Sequence, residues 1–294
     1  MSIVLGVIEE GLIYAIMALG VYITYKILDF PDLSVDGTFP MGAAVTAMLI
    51  LKGVHPAATL VLAFLAGAAA GCVTGFIHVK LKVRDLLSGI IVMTALYSLN
   101  LRIAGKANVP IFSKETIFEN GFLEQAVPEA LSPYLVAIIL FVIVLVCKIL
   151  LDLYLKTRSG YLLRAVGDND VLVTSLAKDK GAVKIIGLAI ANGFAALAGS
   201  VYCQQKGFFE VSMGTGTIVI GLASVIIGIK LVKGLGFVKT TTAVILGSLA
   251  YKACVAAAIA LGMAPSDLKL ITAVLFLVIL VLSNQSERKV KAHA

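Results

Sequence analysis

The sequence contains no tryptophan, and it has only 4 cysteines, 7 prolines and 14% charged residues among 294 residues. The cysteines stand singly, with no C-x-x-C pair and no histidine at ligand spacing, so they are interpreted as small buried hydrophobic residues. G-x-S-x-G, H-E-x-x-H and G-x-x-x-x-G-K-[ST] motifs are also missing. The chain is therefore expected to be no enzyme and to hold neither a cofactor nor a metal ion.

Hydrophobic residues are abundant instead, at 60% with a mean hydropathy of +1.03, which is more than a soluble domain of this size can bury. A membrane-spanning helix takes about 17–25 apolar residues. The composition predicts a single all-α polytopic membrane domain over residues 1–294 with about nine transmembrane segments, two of them too short to cross alone. The predicted segments are Ile3–Tyr25, Phe39–Leu51 (short), Ala57–Val79, Leu86–Ile103, Tyr134–Leu155, Val183–Cys203, Thr217–Ile229 (short), Thr240–Leu261 and Leu270–Ser283.

Charge asymmetry predicts the orientation of these segments. Most of the 24 lysines and arginines fall on one side, which is the cytoplasmic side by the positive-inside rule. The N-terminus is then external, 105–133 is an extracellular loop, and both 156–181 and the tail 284–294 are cytoplasmic. No signal-peptide pattern precedes the first segment, so we expect it to remain as a helix. The net charge of +7 reflects this asymmetry rather than nucleic-acid binding, and a bacterial inner membrane is predicted.

An acidic break separates the first two predicted segments, near residues 26–38. Three carboxylates, a proline and a glycine there cannot face hydrocarbon, so this backbone has to be buried in protein or to line a watery path. We interpret it as part of a transport route. The polar candidates in it are Asp29, Asp32, Ser34 and Asp36.

Each candidate has a duller alternative role. Asp36 and Ser34 suit the N-cap of a short helix that begins near Phe39. Asp29 or Asp32 can pair with Lys26 or meet the ammonium group of a transported solute.

A second break is predicted near residues 204–216. It follows Gly199-Ser200-Val201-Tyr202, a weak echo of Leu19-Gly20-Val21-Tyr22 before the first break, and both copies precede a short segment. Inverted repeats with broken helices are typical of transporters, although shared helix-end composition explains the echo equally well. Candidate pathway residues here are Phe208, Phe209 and Glu210. Lys252, an intramembrane charge, is a further candidate, or it neutralises an acidic residue of the first break.

Two segments carry small residues at four-residue spacing, which predicts close helix packing rather than a ligand site. The partner helix can lie in this chain or in a second copy. The small residues are Ala63, Gly67, Gly71 and Gly75 in one segment, and Ala191, Ala195 and Gly199 in the other.

The polar stretch 156–180 is predicted to bind a soluble partner, through a helix from about Gly160 to Val166 that Gly167 ends. A merely solvated interfacial helix is the alternative.

Four motifs carry a family resemblance: Thr157-Arg158-Ser159-Gly160, Arg164-Ala165-Val166-Gly167-Asp168-Asn169, Gly214-Thr215-Gly216 and Asp32-Leu33-Ser34-Val35. Together they resemble motifs in the membrane subunits of ATP-binding-cassette importers for ribose, branched-chain amino acids and nucleosides. The resemblance covers about residues 11–283 and is strongest to a branch linked with tryptophan or tyrosine uptake.

The resemblance implies a permease homodimer carrying two cytoplasmic ATPases, which bind the ATP, and fed by an extracellular substrate-binding protein. It also implies that residues 161–166 form the coupling helix, so that reversing the charge of Arg164 uncouples ATP hydrolysis from uptake. The coupling residues are Arg158, Gly160, Tyr161, Leu163, Arg164, Ala165, Gly167, Asp168 and Asn169.

An aromatic amino acid is the favoured substrate, and a sugar or nucleoside is the alternative. Asp36 stands where the sugar permeases have glycine, which argues against transferring sugar specificity. The competing function is a secondary transporter coupled to protons or sodium through Asp29, Asp32 or Asp36.

Overall fold

The computed structural model describes residues 2–120, 129–168, 179–232, 238–261, 267, 270–274 and 276–281. These residues are mostly helical, with one short antiparallel strand pair, β1 (Asn108–Pro110) and β2 (Phe208–Glu210). A π-helical turn (Tyr22–Ile27) continues α1, and a 3-10 helix (Glu129–Tyr134) precedes α5. The α-helices are α1 (Ser2–Val21), α2 (Val35–Leu51), α3 (Pro56–Val79), α4 (Asp85–Ala104), α5 (Leu135–Tyr154), α6 (Arg158–Asp168), α7 (Lys180–Lys206), α8 (Thr217–Leu231) and α9 (Thr240–Ala260).

Six helical segments are long and apolar enough to cross a membrane. Shorter apolar helices are α2, α8 and the described residues 270–274 and 276–281. Each predicted apolar segment thus contains a helix, whereas nine crossings and the placement of the termini stay predictions. The six segments are Val4–Ile27, Pro56–Val79, Asp85–Ala104, Ser132–Tyr154, Lys180–Lys206 and Thr240–Ala260.

Helix α7 lies at the centre of the described fold, with 61% of its most apolar stretch buried, against 22% for the peripheral α5. Gly67 and Gly71 of α3 contact the backbone carbonyls of Asn192 and Leu188, so α3 runs antiparallel to α7. The predicted small-residue ridge of α3 therefore packs on α7 inside this chain, whereas Ala191 and Gly199 of the other ridge contact Gly20 of α1 and Phe39 of α2. Because these glycines have no Cβ, the helix backbones approach closely enough for extensive van der Waals contact.

Helix α2 runs parallel to α7 and begins at Val35, so its predicted start near Phe39 is wrong by about one turn. The Ser34 carbonyl already accepts hydrogen bonds from the N–H groups of Gly37 and Thr38, both at 2.9 Å. The polar residues before Phe39 hid this turn in the sequence, because they resemble a loop while folding as the first turn of a buried helix.

Candidate functional site

The first break occupies residues 28–34, between the π-helical turn and α2. Leu28 packs against Gly187, and Asp32 reaches Asn192, which lies near the middle of the 27-residue α7. Asp29 has a positive φ of 50°, which is uncommon for a residue with a side chain. Through Asp32 the break therefore reaches the middle of α7, as expected of a polar segment that has to be buried in protein.

Hydrogen bonds among four polar side chains hold the break against α7. The Ser34 N–H and hydroxyl donate to Asp32 Oδ1 at 2.9 and 2.6 Å, and Asn192 Nδ2 donates to Asp32 Oδ2 at 2.7 Å. The Thr38 hydroxyl donates to Asn192 Oδ1 at 2.6 Å. Asp32 is 1% exposed and the other three are fully buried. We call Asp32, Ser34, Thr38 and Asn192 the buried polar cluster.

The buried polar cluster changes the roles expected of its members. Asp32 pairs with Ser34 and Asn192 rather than with Lys26, and both its carboxylate oxygens accept hydrogen bonds from protein. Asp29 is exposed at the same break. Asn192 was missed by sequence reasoning, although a lone asparagine among small residues of an apolar helix is the signal that marks it. The arrangement anchors the break to the central helix, since buried polar groups have to be paired.

Asp36 caps a helix, but not its own. Asp36 Oδ2 accepts from the Gly216 N–H at 2.8 Å, and Oδ1 accepts from the Ile218 N–H at 2.8 Å and the Thr217 hydroxyl at 3.0 Å. The predicted capping of α2 is therefore wrong: Ser34 occupies the N-cap position without a side-chain cap bond, and Asp36 serves α8. The N-termini of the two short helices meet at this carboxylate, which suits the positive ends of both helix dipoles.

A cavity of about 340 Å³ opens beside Asp36. Asn100 Nδ2 donates to the Gly37 carbonyl at 3.0 Å, while its buried Oδ1 has no partner among the described residues. Tyr97 is 52% exposed, one turn away on the same face of α4. Sequence reasoning predicted α4 as an apolar segment but did not assign Asn100 and Tyr97 to the site, because neither carries a charge. The lining residues are Asp36, Gly37, Pro40, Met93, Thr94, Tyr97, Asn100, Val211 and Thr215.

The second break follows the C-terminal end of α7 at Lys206. Phe209 is buried and Phe208 is partly buried on β2, whose Glu210 pairs in register with Asn108 of β1. The side chain of Glu210 accepts a hydrogen bond from the Ser212 hydroxyl. Phe209 is thus a packing residue in this conformation, and a substrate role for Phe208 and Glu210 stays a prediction.

Lys252 lies far from the first break. Its Nζ is 3.1 Å from Glu10 Oε2 and sits over the Tyr14 ring at 4.1 Å, while Lys206 Nζ is 2.9 Å from Glu10 Oε1. The alternative that Lys252 neutralises an acidic residue of the break is therefore wrong. Glu10 joins α1, α7 and α9 at this end, and one carboxylate shared by two lysines is a structural contact of the kind expected inside a membrane domain.

Helix α6 has two distinct faces. Gly160 contacts the Tyr154 carbonyl, Leu163 is fully buried against Gly187, and Gly167 contacts the Ile27 carbonyl. Gly167 lies inside the helix, so the predicted end at this residue is wrong. Gly160, Leu163 and Gly167 hold α6 to the membrane helices.

The outward face of α6 carries the residues available to a partner. Tyr161 is 60% exposed, and Arg158, Arg164 and Asp168 are exposed, with Ala165 intermediate. Asn169 lies outside the described residues. Among the residues that the structure describes, no group of three or more His, Cys, Asp or Glu side chains is placed to hold a metal ion.

Comparisons with known proteins agree with the family resemblance of the sequence motifs. A family model described as the permease component of branched-chain amino acid transport systems matches residues 3–282. A tyrosine transport system permease protein of Clostridioides difficile (strain R20291) is 48% identical over 294 residues, which is 100% of this chain and 96% of the relative. An uncharacterised protein of Rickettsia prowazekii (strain Madrid E) is 33% identical over 285 residues, which is 95% and 96% of the two chains.

The ribose import permease protein RbsC of Escherichia coli (strain K12) is 23% identical over 230 residues, covering 76% of this chain and 68% of the relative. No solved structure matches the chain. The family match spans nearly the whole chain, and its description agrees with the apolar helices and with the resemblance drawn from the sequence motifs. This multi-pass membrane protein belongs to the family of permease components of branched-chain amino acid transport systems.

Proposed function

We propose that this chain forms the translocation path of an ATP-driven importer for an amino acid, with an aromatic one favoured. Support comes from the family match and from the 48% identical relative, which is named for tyrosine transport. The distribution of lysine and arginine supports a bacterial plasma membrane location with the N-terminus outside and residues 284–294 in the cytoplasm. A partner protein binds and hydrolyses the ATP, and the chain itself uses no cofactor.

The two distinct faces of α6 are the observation that supports an ATP-driven mechanism. Its buried face, with Gly160 and Leu163, fixes it to the bundle, and its outward face presents Tyr161 and Arg164 on the proposed cytoplasmic side. A helix that is anchored on one side and exposed on the other suits a groove in a soluble partner. We place two ATPases on a permease homodimer, and a substrate-binding protein on the outer surface near β1 and β2.

The cavity beside Asp36 is the proposed path for the solute. The unpartnered Asn100 Oδ1 is a hydrogen-bond acceptor suited to an ammonium group, and Tyr97 offers an aromatic face to an aromatic side chain. Asp36 itself is occupied by the N-terminus of α8, so its part is to hold the two short helices α2 and α8 together rather than to bind the solute. Weak contacts suit a path that has to release its cargo.

Reconstitution tests this proposal. The chain is placed in liposomes with its ATPase and binding protein, and uptake of labelled tyrosine is measured with and without ATP. We expect uptake only when all three proteins and ATP are present. Uptake by the chain alone under a sodium or proton gradient would overturn the proposal in favour of a secondary transporter.

The substrate is tested separately from the energy source. A thermal-shift screen of the partner binding protein against amino acids, sugars and nucleosides reports which class stabilises it. Stabilisation by tyrosine or tryptophan supports the aromatic amino acid. Stabilisation by ribose alone would overturn the substrate while leaving the importer mechanism standing.

A further inference from the structure

A second polar cavity, of about 330 Å³, lies next to α6 and serves no part of the proposed path. It is enclosed by the π-helical turn after α1, the end of α5, the outward side of α6 and the start of α9. Its volume falls in the lower part of the range of small-molecule sites, about 300–1,000 Å³. The lining residues are Tyr22, Asp152, Leu155, Lys156, Tyr161, Arg164, Lys239, Thr240 and Thr241.

Asp152 is the acidic residue in the lining, and it is fully engaged. Its Oδ2 is 3.0 Å from both Lys148 Nζ and Lys239 Nζ, and its Oδ1 accepts from the Thr241 hydroxyl at 2.7 Å. The contacts with Lys239 and Thr241 tie the end of α5 to the start of α9, whereas Lys148 lies on α5 itself. A carboxylate shared by two lysines leaves net positive charge on this side of the cavity.

Two further basic side chains face the same cavity without a carboxylate. Lys156 and Arg164 are exposed, and neither forms an ion pair among the residues that the structure describes. Helix α9 adds its N-terminus, where the N-cap residue Lys239 makes no side-chain cap bond. The cavity thus offers ammonium, guanidinium and backbone donors together, a combination that binds phosphate through charge-assisted hydrogen bonds.

We propose that this cavity binds the phosphate-bearing headgroup of an anionic phospholipid. Basic cavities between membrane helices on the cytoplasmic side suit such headgroups, and the cavity opens where two membrane-spanning segments, α5 and α9, meet the base of the coupling helix. The proposal rests on the proposed function for the cytoplasmic placement of α6. The bound headgroup bridges α6 to α9, so that lipid composition regulates how firmly α6 is held.

Native mass spectrometry of the purified permease tests the proposal without an ATPase or a transport substrate. The protein is offered equal amounts of phosphatidylglycerol and phosphatidylcholine, and we expect preferential retention of phosphatidylglycerol. The variant with Lys156→Gln and Lys239→Gln is expected to lose about 30-fold in affinity for it, from the usual contribution of one basic residue near an anionic surface. Lys80→Gln, an exposed lysine outside the cavity, is the matched control and is expected to change nothing.

The single variant Lys156→Gln guards against misfolding, because it leaves all three contacts of Asp152 intact; we expect a loss of about fivefold. Equal retention of the two lipids, or the same preference in the double variant, would overturn the proposal. Inorganic phosphate is titrated in a parallel thermal-shift measurement. Stabilisation by phosphate that depends on Lys156 and Lys239, without lipid preference, would instead identify a site for a soluble anion.

The purified ATPase provides the last arm. If adding it displaces phosphatidylglycerol from the wild-type chain, the lipid cannot hold α6 while the ATPase is docked, and the proposed regulation by lipid is wrong. If the lipid stays bound, the proposal is supported. Because binding is measured on the permease alone, a failure of lipid binding leaves ATP-driven uptake untouched, and a failure of uptake leaves the lipid measurement standing.

Discussion

The two breaks in this molecule are stabilised by different kinds of contact. The break before α2 is held by side chains, through Asp32 and Asn192, at the middle of the buried α7. The break before α8 is held largely through backbone groups. Strand β2 pairs with β1, and backbone N–H groups at the start of α8 donate hydrogen bonds to Asp36. Side-chain anchoring deep in the bundle makes the first break sensitive to single substitutions, whereas backbone pairing makes the second break tolerant of them.

The largest expected effect comes from Asn192→Leu. This substitution leaves a buried oxygen of Asp32 without its donor, and we expect a loss of about 3 kcal/mol in the free energy of unfolding. Denaturation of the purified protein in detergent measures it. Asp32→Leu and the double variant Asp32→Leu with Asn192→Leu complete a double-mutant cycle, in which the double variant should lose less stability than the sum of the two single losses. Strictly additive losses would contradict the pairing.

Asp36→Ala is expected to cost about 1–2 kcal/mol, since it removes the cap of α8 but leaves the strand pairing in place. Asp36→Asn keeps one acceptor oxygen and should lose less. The same denaturation measurement ranks the two variants, and ATP-driven uptake should fall in the same order. An alanine variant as stable as the wild type would show that the second break needs no cap.

Asn100→Leu tests a buried polar side chain outside both breaks, because the side-chain carbonyl oxygen of Asn100 has no hydrogen-bond partner among the described residues. We expect the free energy of unfolding to change by less than about 1 kcal/mol, since the one bond to the Gly37 carbonyl is lost while an unpaired acceptor is removed. Uptake by the reconstituted importer should nevertheless fall, with basal ATP hydrolysis unchanged. Unchanged uptake in the leucine variant would argue against the path.

Arg164→Glu lies outside both breaks and is expected to leave stability within about 0.5 kcal/mol of wild type, because the side chain is exposed. Its effect should appear in coupling: ATP hydrolysis continues while uptake is lost. Parallel assays of the two activities on the reconstituted importer measure this. Arg84→Glu, another exposed arginine, is the matched control. Coupled transport in the Arg164 variant would reject the docking role of α6.

The sequence predicted the membrane helices and the positions of the breaks, because apolar runs and carboxylates in lipid have few alternatives. It did not predict what those carboxylates face. Asp36 and Thr217 are 181 positions apart, and Asp32 meets Asn192 across 160 positions. The sequence pattern shows which residues have to avoid lipid. The residue with which each of them pairs depends on how the helices cross, as the wrongly predicted cap of α2 shows.

The glycine face of α6 has a mechanical consequence. Gly167 rests directly on the carbonyl of Ile27, the last residue before the first break, and Leu163 and Leu28 both pack on Gly187. No side chain separates the two backbones at Gly167. If α6 docks an ATPase as we propose, a displacement of α6 would be transmitted to the chain leading to Asp32 partly through this backbone contact, one residue before the break begins.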